Sequence, residues 1–531
     1  MSKTTVSYKQ QDVGDDYDAI LIGSGIGSMT TAALLAKEGW RCLVLERHYM
    51  PGGYTHVFKR KGYEWDVGVH YIGEVNRETS FLARLFRYVT DGTLEWADMG
   101  DVYDRIRFGD EIYDFVKGRE AFTEQLKTYF PDDAKAIDQY IVEVRNAARG
   151  ARNFFAEKAL SQMQSFIAGP FLRKDFKKYA SKTTLEVLRS LTQNEKLIAV
   201  LTGQYGDYGH PPAQSSFAMH AMVVRHYLNG GTYPVGGSGR IFESYVSGIE
   251  QAGGLIATNA EVSEILMEKG KATGVRMADD RVIRAPVVIS GAGVHTTINR
   301  LLPKAEAQKT GLLQKSQNNP ASACHLGLYI GFKESSQSLN LPKANWWYYP
   351  PVYDHDKLCA DFLADPNAPF PVTYVSFPSA KDPSWDDRYP NRSTVDVITL
   401  TNYEWFREWE GTKWHKRGEA YEAKKAEFTE RLLNNLYKLE PQLKGKVDHA
   451  ELSTPLSTQQ FCNYAQGEIY GIQHTPDRFE ERWLKPKTPI KNLYLSGQDV
   501  ATAGVGGAMM GGVLCAVSVL GKNMMNDIMT A

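Results

Sequence analysis

Residues 17–46 are the part of the sequence that most constrains the fold. YDAILIG is a short apolar run that ends in glycine, which is typical of a buried parallel strand. GSGIGS follows at residues 23–28, and SMTTAALLAKEG then has the composition of a helix that ends at Gly39. RCLVLE forms the next apolar strand and ends in Glu46. This order predicts a βαβ unit with a near match to the GxGxxG fingerprint of dinucleotide binding.

The residues of this fingerprint have separate expected roles. Gly23 makes the tight turn, and Gly25 lets a pyrophosphate approach the backbone at the N-terminus of the helix. Ser28 replaces the third glycine of the motif with another small residue. Glu46 lies 23 residues after Gly23, where its carboxylate can accept hydrogen bonds from both ribose hydroxyls. Arg47 follows it, so this unit alone leaves an NADP ligand open.

Two segments that follow the first unit favour a flavin over a nicotinamide. Gly52 and Gly53 come directly after Pro51, and Asp66 and Gly68 lie in the stretch WDVGVHYIG. Because glycine permits close approach of a backbone, we expect the chain to pass here beneath the pyrophosphate and the flavin ring. Asp66 is expected to shape the turn.

A third flavin signal lies near the C-terminus. SGQDV contains Gly497 and Asp499, closes a strand and opens a glycine-rich helix that includes Gly506. We expect the Asp499 carboxylate to bind ribityl hydroxyls, and the positive end of the helix to stabilise a reduced flavin. Residues 500–521 carry no charge and are long enough to span a bilayer. Their glycines and the strand before them favour a buried helix instead.

At this point the sequence resembles the phytoene desaturase and carotenoid isomerase family of flavoproteins, through GSGIGS, LER…PGG, DVGVHYIG and SGQDV. The similarity to the retinol saturases within that family is closer still. It extends over residues 18–521 and includes GDYGHPP, SFAMHA, HYLNGGTYPVGG, VSFPSAKDPSWDDRYPNRST, YEWF and NLYLSGQDV. The resemblance implies tightly bound FAD, a long apolar substrate channel and contact of the Val262 backbone with adenine.

The implied fold is α/β, with a Rossmann-like FAD-binding domain of the GR2, amine-oxidase-like type and an inserted mixed α+β substrate domain. Three segments are expected to form the FAD-binding domain: 17–75, 230–321 and 455–531. Two segments are expected to form the substrate domain with its helical lid: 76–229, which is mostly helical, and 322–454. GAG at residues 291–293 could mark a second dinucleotide fold. No acid-tipped strand follows it, which favours a return strand of the first fold.

A flavin beside an apolar polyene carries out hydride chemistry at carbon–carbon bonds. We expect a saturase, in which reduced flavin N5 gives hydride to one end of a double bond and an acid protonates the other end. Desaturation or cis–trans isomerisation of carotenoids or unsaturated fatty acids uses the same geometry and stays open. A flavin amine oxidase and a non-enzymatic lipid escort of this fold are more distant alternatives.

Few side chains could supply the proton for saturation. The candidates are His70 and Tyr71, which follow the turn after Asp66, and Tyr470, which precedes the C-terminal flavin segment. A further polar group in the helical region comprises Tyr205, Asp207, Tyr208 and His210. For any single histidine beside an apolar wall, a hydrogen-bonded role in the core is the alternative.

Amino-acid composition indicates which partners and which cellular compartment to expect. The net charge is −1, from 61 Lys and Arg against 62 Asp and Glu, which argues against a nucleic-acid partner. Five scattered cysteines form no CxxC pair, so the sequence predicts a reduced compartment and no metal site. The polar N-terminus has no apolar core of a signal peptide. We therefore expect a cytoplasmic location, or a peripheral one on the cytoplasmic face of a membrane.

Two kinds of partner are expected besides the apolar lipid substrate. One dinucleotide unit leaves electron supply or removal to a separate partner, such as a reductase or a quinone. Residues 165–182, SFIAGPFLRKDFKKYASK, combine large apolar side chains with a cluster of lysines. This composition predicts a helix in the bilayer interface. A surface helix with one buried face is the alternative.

Overall fold

The computed structural model describes residues 5–10, 13–160 and 162–531. The strands of these residues, in chain order, are β1 Thr5–Ser7, β2 Ala19–Ile22, β3 Cys42–Leu45, β4 Val57–Arg60, β5 Tyr63–Asp66, β6 Trp96–Asp98, β7 Val102–Phe108, β8 Glu111–Val116, β9 Thr232–Pro234, β10 Leu255–Thr258, β11 Val262–Glu268, β12 Lys271–Met277, β13 Val282–Arg284, β14 Val287–Ser290, β15 Cys324–Phe332, β16 Asn345–Tyr349, β17 Thr373–Ser376, β18 Ser393–Thr401, β19 Val447–Ser453 and β20 Leu493–Leu495.

The helices of the same residues are α1 Ile26–Lys37, α2 Phe81–Val89, α3 Arg119–Tyr129, α4 Ala134–Lys158, α5 Gln162–Ala180, α6 Thr184–Arg189, α7 Glu195–Leu201, α8 Phe217–Tyr227, α9 Gly239–Gln251, α10 Val294–Thr296, α11 Lys304–Lys309, α12 Leu312–Gln317, α13 His355–Ala364, α14 Pro378–Lys381, α15 Trp385–Arg388, α16 Glu419–Leu439, α17 Pro455–Cys462, α18 Pro476–Glu480, α19 Gly504–Leu520 and α20 Met525–Thr530. Short 3₁₀ turns include Gly53–Thr55 and Tyr205–Asp207.

A six-stranded parallel sheet carries the N-terminal βαβ unit. Its strand order is β1–β10–β3–β2–β14–β20, and α1 connects β2 to β3 as the motif predicts. β14 pairs with both β2 and β20, so the GAG segment follows a return strand of this sheet. The alternative of a second dinucleotide fold there was wrong. β1 pairs with β10 although it precedes residue 17, so the sheet begins earlier in the chain than predicted.

The uncharged segment near the C-terminus forms α19, which packs against α1. A Cβ atom on Gly512 would lie 2.5 Å from the carbonyl oxygen of Gly27, and one on Gly511 would lie 2.1 Å from that of Gly497. Only glycine at these positions allows so close an approach of the two backbones. The prediction of a buried helix is therefore confirmed. Among the described helices, none is both long and apolar enough to cross a bilayer.

A seven-stranded sheet, in the order β19–β15–β18–β17–β16–β7–β8, lies in the two insertions. β7 and β8 belong to the first insertion, which we predicted as mostly helical. In β7, Asp104 occupies a fully buried position and breaks the apolar–polar alternation that identifies a strand. The insertion also contains α2 and the short strand β6, and it is helical from α3 to α8.

The β4–β5 hairpin carries the chain from the parallel sheet to the seven-stranded sheet. The indole nitrogen of Trp65 donates to the carbonyl oxygen of Ile330 in β15 at 3.0 Å. Residues 67–72 leave this hairpin, and Ile72 then exchanges backbone hydrogen bonds with Thr232. The segment VGVHYI is thus fixed at both ends, between the two halves of the molecule.

Candidate active site

One cavity of about 490 Å³ is lined by residues of both large sheets. Ile22, Leu45 and Ser496 line it at the carboxyl ends of β2, β3 and β20. Trp347 and Ile398 line it from the seven-stranded sheet. Ligands of parallel α/β sheets bind at the carboxyl ends of the strands. The cavity therefore connects a dinucleotide-binding edge to the second sheet.

Two helix N-termini open onto this cavity. Gly25 at the N-cap of α1 and Ala503 at the N-cap of α19 line the cavity, and neither gives a side-chain capping hydrogen bond. The first backbone N–H groups of a helix have no partner within the helix and carry its positive dipole. The cavity thus offers two sites for negatively charged ligand groups, one at each helix.

Glycines around these helix N-termini leave open space in which a flat ligand fits. A Cβ atom added to Gly25, Gly497 or Gly504 would meet no protein atom within 4 Å. In contrast, a Cβ on Gly53 would lie 2.9 Å from the Cα of Gly25, so these two backbones are in contact. The open space beside the first three glycines fits a flavin dinucleotide.

The Glu46 carboxylate is fixed at the end of β3. The Ser24 amide and hydroxyl donate to one of its oxygens at 2.9 and 2.7 Å, and the His48 amide donates to the other at 2.8 Å. Glu46 still lines the cavity and keeps lone pairs free for ribose hydroxyls. Arg47 also lines the cavity, and its guanidinium donates to the carbonyl oxygen of Gln460.

Most residues that the sequence assigned to the cofactor line this cavity: Gly23, Gly25, Ser28, Glu46, Arg47, Gly53, Gly68, Val262, Gly497, Asp499 and Gly506. Asp499 has a further task, since its two oxygens accept from the amides of Ile472 at 2.9 Å and Val294 at 2.8 Å. The carboxylate therefore ties three chain segments together beside the cavity.

Two residues that the sequence assigned to the cofactor, Gly52 and Asp66, lie outside the lining of this cavity. Gly52 adopts a left-handed turn with φ +116° and donates its amide to Ser24 Oγ at 2.8 Å. Asp66 is fully buried and accepts from the hydroxyl of Tyr233 at 2.5 Å and the amide of Ser238 at 3.3 Å. Both oxygens of its carboxylate thus accept from protein donors.

All three candidate proton donors line the cavity. The Tyr470 hydroxyl donates to the carbonyl oxygen of Gly206 at 3.0 Å. His70 Nδ1 lies 3.3 Å from a carboxylate oxygen of Asp396. Burial lowers the pKa of His70 to about 4, while the Asp66 carboxylate opposes this shift. His70 is therefore neutral at pH 7 and is a poor acid there.

Tyr71 lies between two carboxyl groups. Its hydroxyl oxygen is 2.9 Å from Asp104 and 3.0 Å from Asp207, and its ring stacks on Tyr227 with centroids 4.1 Å apart. Burial raises the pKa of Asp104 to about 6 and that of Asp207 well above its usual value. Asp207 belongs to the polar group noted in GDYGHPP, and it lines the cavity.

A buried lysine lies on the other side of this wall. Lys381 Nζ donates to the carbonyl oxygen of His70 at 2.9 Å, to Ser376 Oγ at 2.7 Å and to the side-chain carbonyl of Asn345. Burial lowers the pKa of Lys381 to about 7, and the carboxylates around it, Asp104, Asp66 and Asp396, oppose this shift. Lys381 thus lies at the centre of a buried acidic cluster, which comprises Asp66, Asp104 and Asp396.

The acidic cluster also has a spacing that a metal ion could use, although the sequence predicted no metal site. Asp66, His70 and Asp396 each bring one ligand atom within 4.8 Å of the others. Burial raises the pKa of Asp66 to about 6 and that of Asp396 well above its usual value, and Lys381 lowers the latter. Lys381 interacts with both carboxylates and opposes part of their negative charge.

Sequence patterns did not identify Asp104, Lys381 or Asp396. Lys381 lies inside the long segment 375–394 that carries the family resemblance, and Asp396 is the only charged residue in the apolar strand STVDVITLT. A single carboxylate in such a strand is a usable signal, because burying it requires a partner.

Comparisons with known proteins identify the family of the chain. The model of the family described as flavin containing amine oxidoreductase matches residues 29–520. The chain is 35% identical over 535 residues to the all-trans-retinol 13,14-reductase of Danio rerio, covering 96% of this chain and 87% of that protein. It is 28% identical over 534 residues to the chloroplastic prolycopene isomerase 1 of an Oncidium hybrid cultivar, covering 94% and 83%.

Solved structures share the fold. The cyclohexylamine oxidase from Brevibacterium oxydans IH-35A aligns with a TM-score of 0.58 at 14% identity, covering 97% of this chain and 99% of that one. The predicted fold class and the resemblance to retinol saturases are thereby confirmed. The chain therefore belongs to the flavin-containing amine oxidoreductase family, as a flavin-dependent oxidoreductase of its retinol saturase-like branch.

Proposed function

We propose that this chain binds FAD and saturates a carbon–carbon double bond of a retinoid. The observation that carries the proposal is the cavity of about 490 Å³, which joins the dinucleotide-binding edge to an apolar wall. The similarity to all-trans-retinol 13,14-reductase supports a retinoid in particular. A bound flavin supplies hydride exchange at its ring nitrogen N5.

Several features support FAD as the flavin. Glu46 and Val262 line the cavity at the end that would take an adenosine, and Gly25 lines it at the N-terminus of α1, where a pyrophosphate fits. The flavin ring would then lie towards Gly497 and Gly504, near the N-terminus of α19. A mononucleotide would leave the Glu46 end without a ligand.

The remaining wall suits a polyene. Its side chains are mostly apolar and come from α4, α8, β18 and the residue before β17: Phe155, Met219, Met222, Ile398, Leu400 and Val372. These side chains would bind and orient the substrate by burying its apolar surface, and they would exclude water from the reacting bond. Tyr71 and Asp207 provide polar groups at this wall.

Isomerisation is the second candidate, because prolycopene isomerase 1 also matches most of the chain. It would use the same apolar wall without net change in hydrogen content. A flavin amine oxidase shares the fold, but an amine substrate gains little from the apolar wall. A peroxide assay with a panel of amines, run beside the retinoid assay, tests that alternative.

The proposal is tested by reducing the flavin anaerobically and adding retinol, a carotenoid or a polyunsaturated fatty acid in turn. We expect retinol to restore the absorbance of oxidised flavin. Reoxidation by the carotenoid or the fatty acid alone would contradict a retinoid substrate, and a flavin that stays reduced with every lipid would contradict saturation.

We further propose that a separate reductase or small carrier supplies the electrons. Within the described ranges, the parallel sheet provides one dinucleotide-binding unit, and GAG at residues 291–293 belongs to it. The five cysteines are free, in keeping with the proposed reduced, cytoplasmic side of the cell.

The proposed position is at a membrane surface, and α5 is the contact. Phe166 and Phe171 are 79% and 82% exposed, and Met163 and Ile167 on the same face are also exposed. Lysines 174, 177 and 178 follow them on the helix. A helix with an apolar face and a basic end binds in the bilayer interface. Its other side packs on α4, where Phe176 stacks on Phe154 with centroids 4.3 Å apart.

Replacing Phe166 and Phe171 by serine is expected to reduce flotation with anionic liposomes at least tenfold. Burying one phenylalanine side chain stabilises the bound state by about 1.5–3 kcal/mol, so losing two removes most of the apolar attraction. The matched control is Ile112→Ser with Leu363→Ser, which are exposed apolar residues elsewhere. Equal flotation of both double variants would contradict the contact.

A further inference from the structure

We infer that Asp207 is the proton donor of the saturation reaction, and that Asp104, acting across Tyr71, keeps Asp207 protonated. The inference rests on the proposed function and names the acid that this function needs. Its basis is the arrangement of one hydroxyl between two carboxyl groups at the cavity wall.

The Tyr71 hydroxyl has one proton and two carboxyl groups within hydrogen-bond distance. The Tyr71 hydroxyl oxygen lies 2.9 Å from an oxygen of Asp104 and 3.0 Å from an oxygen of Asp207. A tyrosine hydroxyl has one proton to donate, so it can donate to one of the two carboxyl groups only. The other carboxyl group must carry its own proton and donate it to the tyrosine oxygen. Both short distances are satisfied only when one aspartate is protonated.

Hydrogen-bond donors around the two aspartates differ, and this difference assigns the proton to Asp207. Asp104 is fully buried and accepts from Gln204 at 2.6 Å and from Asn345 at 2.8 Å, in addition to Tyr71. Three donors stabilise its carboxylate form. In the part of the chain that the structure describes, the side chain of Asp207 has one hydrogen-bond partner, Tyr71. The Asp207 carboxyl group therefore donates to the Tyr71 oxygen, and the Tyr71 hydroxyl donates to Asp104.

The surroundings of Asp207 agree with this assignment. Burial raises its pKa well above the usual value, the negative charge of Asp104 adds to the shift, and the Tyr71 hydroxyl opposes it. The other titratable groups facing it are tyrosines, which are neutral at pH 7: Tyr208, Tyr227, Tyr349, Tyr374 and Tyr470. Lys381 faces Asp104 from the far side and favours its carboxylate form.

Asp207 also has access to the substrate, which Asp104 lacks. It is half-buried and lines the cavity, as does its neighbour Gly206, whereas Asp104 has no exposed surface. Its 3₁₀ turn, Tyr205–Asp207, is held by the bond from the Tyr470 hydroxyl to the Gly206 carbonyl oxygen. Tyr470 is thus a positioning residue, while the Asp207 carboxyl group can reach a bound polyene.

The proton transfer balances with the hydride transfer. With a reduced flavin bound, one carbon of the double bond would form a C–H bond with the hydride that the flavin supplies, and its neighbour would form a C–H bond with the Asp207 proton. The double bond would become a single bond, the two electrons would come from the bound flavin, and Asp207 would be left as a carboxylate. The Tyr71 hydroxyl can then turn its proton towards Asp207, since Asp104 keeps Gln204 and Asn345 as donors. Asp207 takes a proton from water before the next turnover.

The test uses Asp207→Asn in the holoenzyme, with Asp356→Asn as the control. Asp356 is also half-buried with a raised pKa of about 6, but it lies outside the cavity lining. We expect Asp207→Asn to keep its flavin and to reoxidise with retinol at least 100-fold more slowly than wild type, the lower range for loss of a general acid. Asp356→Asn should react at the wild-type rate.

A second variant tests the role of the neighbouring charge. Asp104→Asn removes the negative charge that raises the pKa of Asp207, so Asp207 loses its proton at lower pH. The decline of the saturation rate with rising pH is therefore expected to shift to lower pH in Asp104→Asn. An unchanged pH profile would contradict the link between the two aspartates.

Infrared spectroscopy locates the proton without relying on turnover. At pH 7.5 the wild-type spectrum should contain the carbonyl stretch of a protonated carboxyl group that Asp207→Asn lacks and Asp356→Asn retains. Persistence of this band in Asp207→Asn, or a wild-type saturation rate for it, would overturn the inference. If wild-type reduced flavin does not react with retinol, the proposed function fails instead, and the infrared band alone still decides where the proton lies.

Discussion

Gly25→Val is expected to give a folded protein that holds no flavin. The N-cap residue has φ −60° and ψ 158°, which valine adopts without strain, and a Cβ there meets no protein atom within 4 Å. The added side chain would instead fill the space where a pyrophosphate approaches the N-terminus of α1. The purified variant should lack visible flavin absorbance and should melt at the temperature of wild type stripped of its flavin.

Two further valine variants separate this effect from general disruption. Gly14→Val, at an exposed glycine with open space around it, should keep both fold and flavin. Gly27→Val should lose both, because its Cβ would lie 2.4 Å from the Cα of Gly497. A yellow Gly25→Val protein would contradict the placement of the cofactor.

Lys381→Met is expected to lower the free energy of unfolding by about 3–5 kcal/mol, as does removal of one partner from a buried ion cluster. The substitution leaves three acceptors without their donor: the His70 carbonyl, Ser376 Oγ and the Asn345 carbonyl. It also leaves Asp104 and Asp396 without the nearby positive charge. Chemical unfolding of the flavin-free protein, followed by tryptophan fluorescence, measures the change.

The control for this measurement is Lys357→Met. Lys357 forms an exposed i,i+4 pair with Asp361 in α13, and such pairs contribute about 0.3–0.5 kcal/mol. If Lys381→Met lowered the free energy of unfolding as little as Lys357→Met, Lys381 would not be the charge that stabilises the buried carboxylates.

Local patterns were sufficient to predict the parallel sheet and its helices. YDAILIG, RCLVLE and VVIS are continuous apolar runs, and each forms a strand buried on both faces: β2, β3 and β14. α16 is likewise formed by one continuous segment rich in charged residues. In these segments the pattern of apolar residues follows from the burial of the segment itself. The local sequence is therefore sufficient to predict the strand or helix.

The seven-stranded sheet and the acidic cluster depend on contacts between distant parts of the chain. Asp104 meets Asn345 and Gln204, and Lys381 meets His70, across separations of about a hundred residues or more. No local period encodes such pairs. Asp66 illustrates the same limit, since the sequence identified its segment as part of the flavin site and only the fold shows that its carboxylate binds Tyr233.

The proposed saturase adds two hydrogens across a double bond of a retinoid. The most direct measurement is a single anaerobic turnover of reduced holoenzyme with all-trans-retinol, with the product analysed by mass spectrometry. We expect a product heavier by two hydrogens, formed in step with reoxidation of the flavin. A product of unchanged mass with a shifted double-bond geometry, or one lighter by two hydrogens from oxidised enzyme, would contradict it.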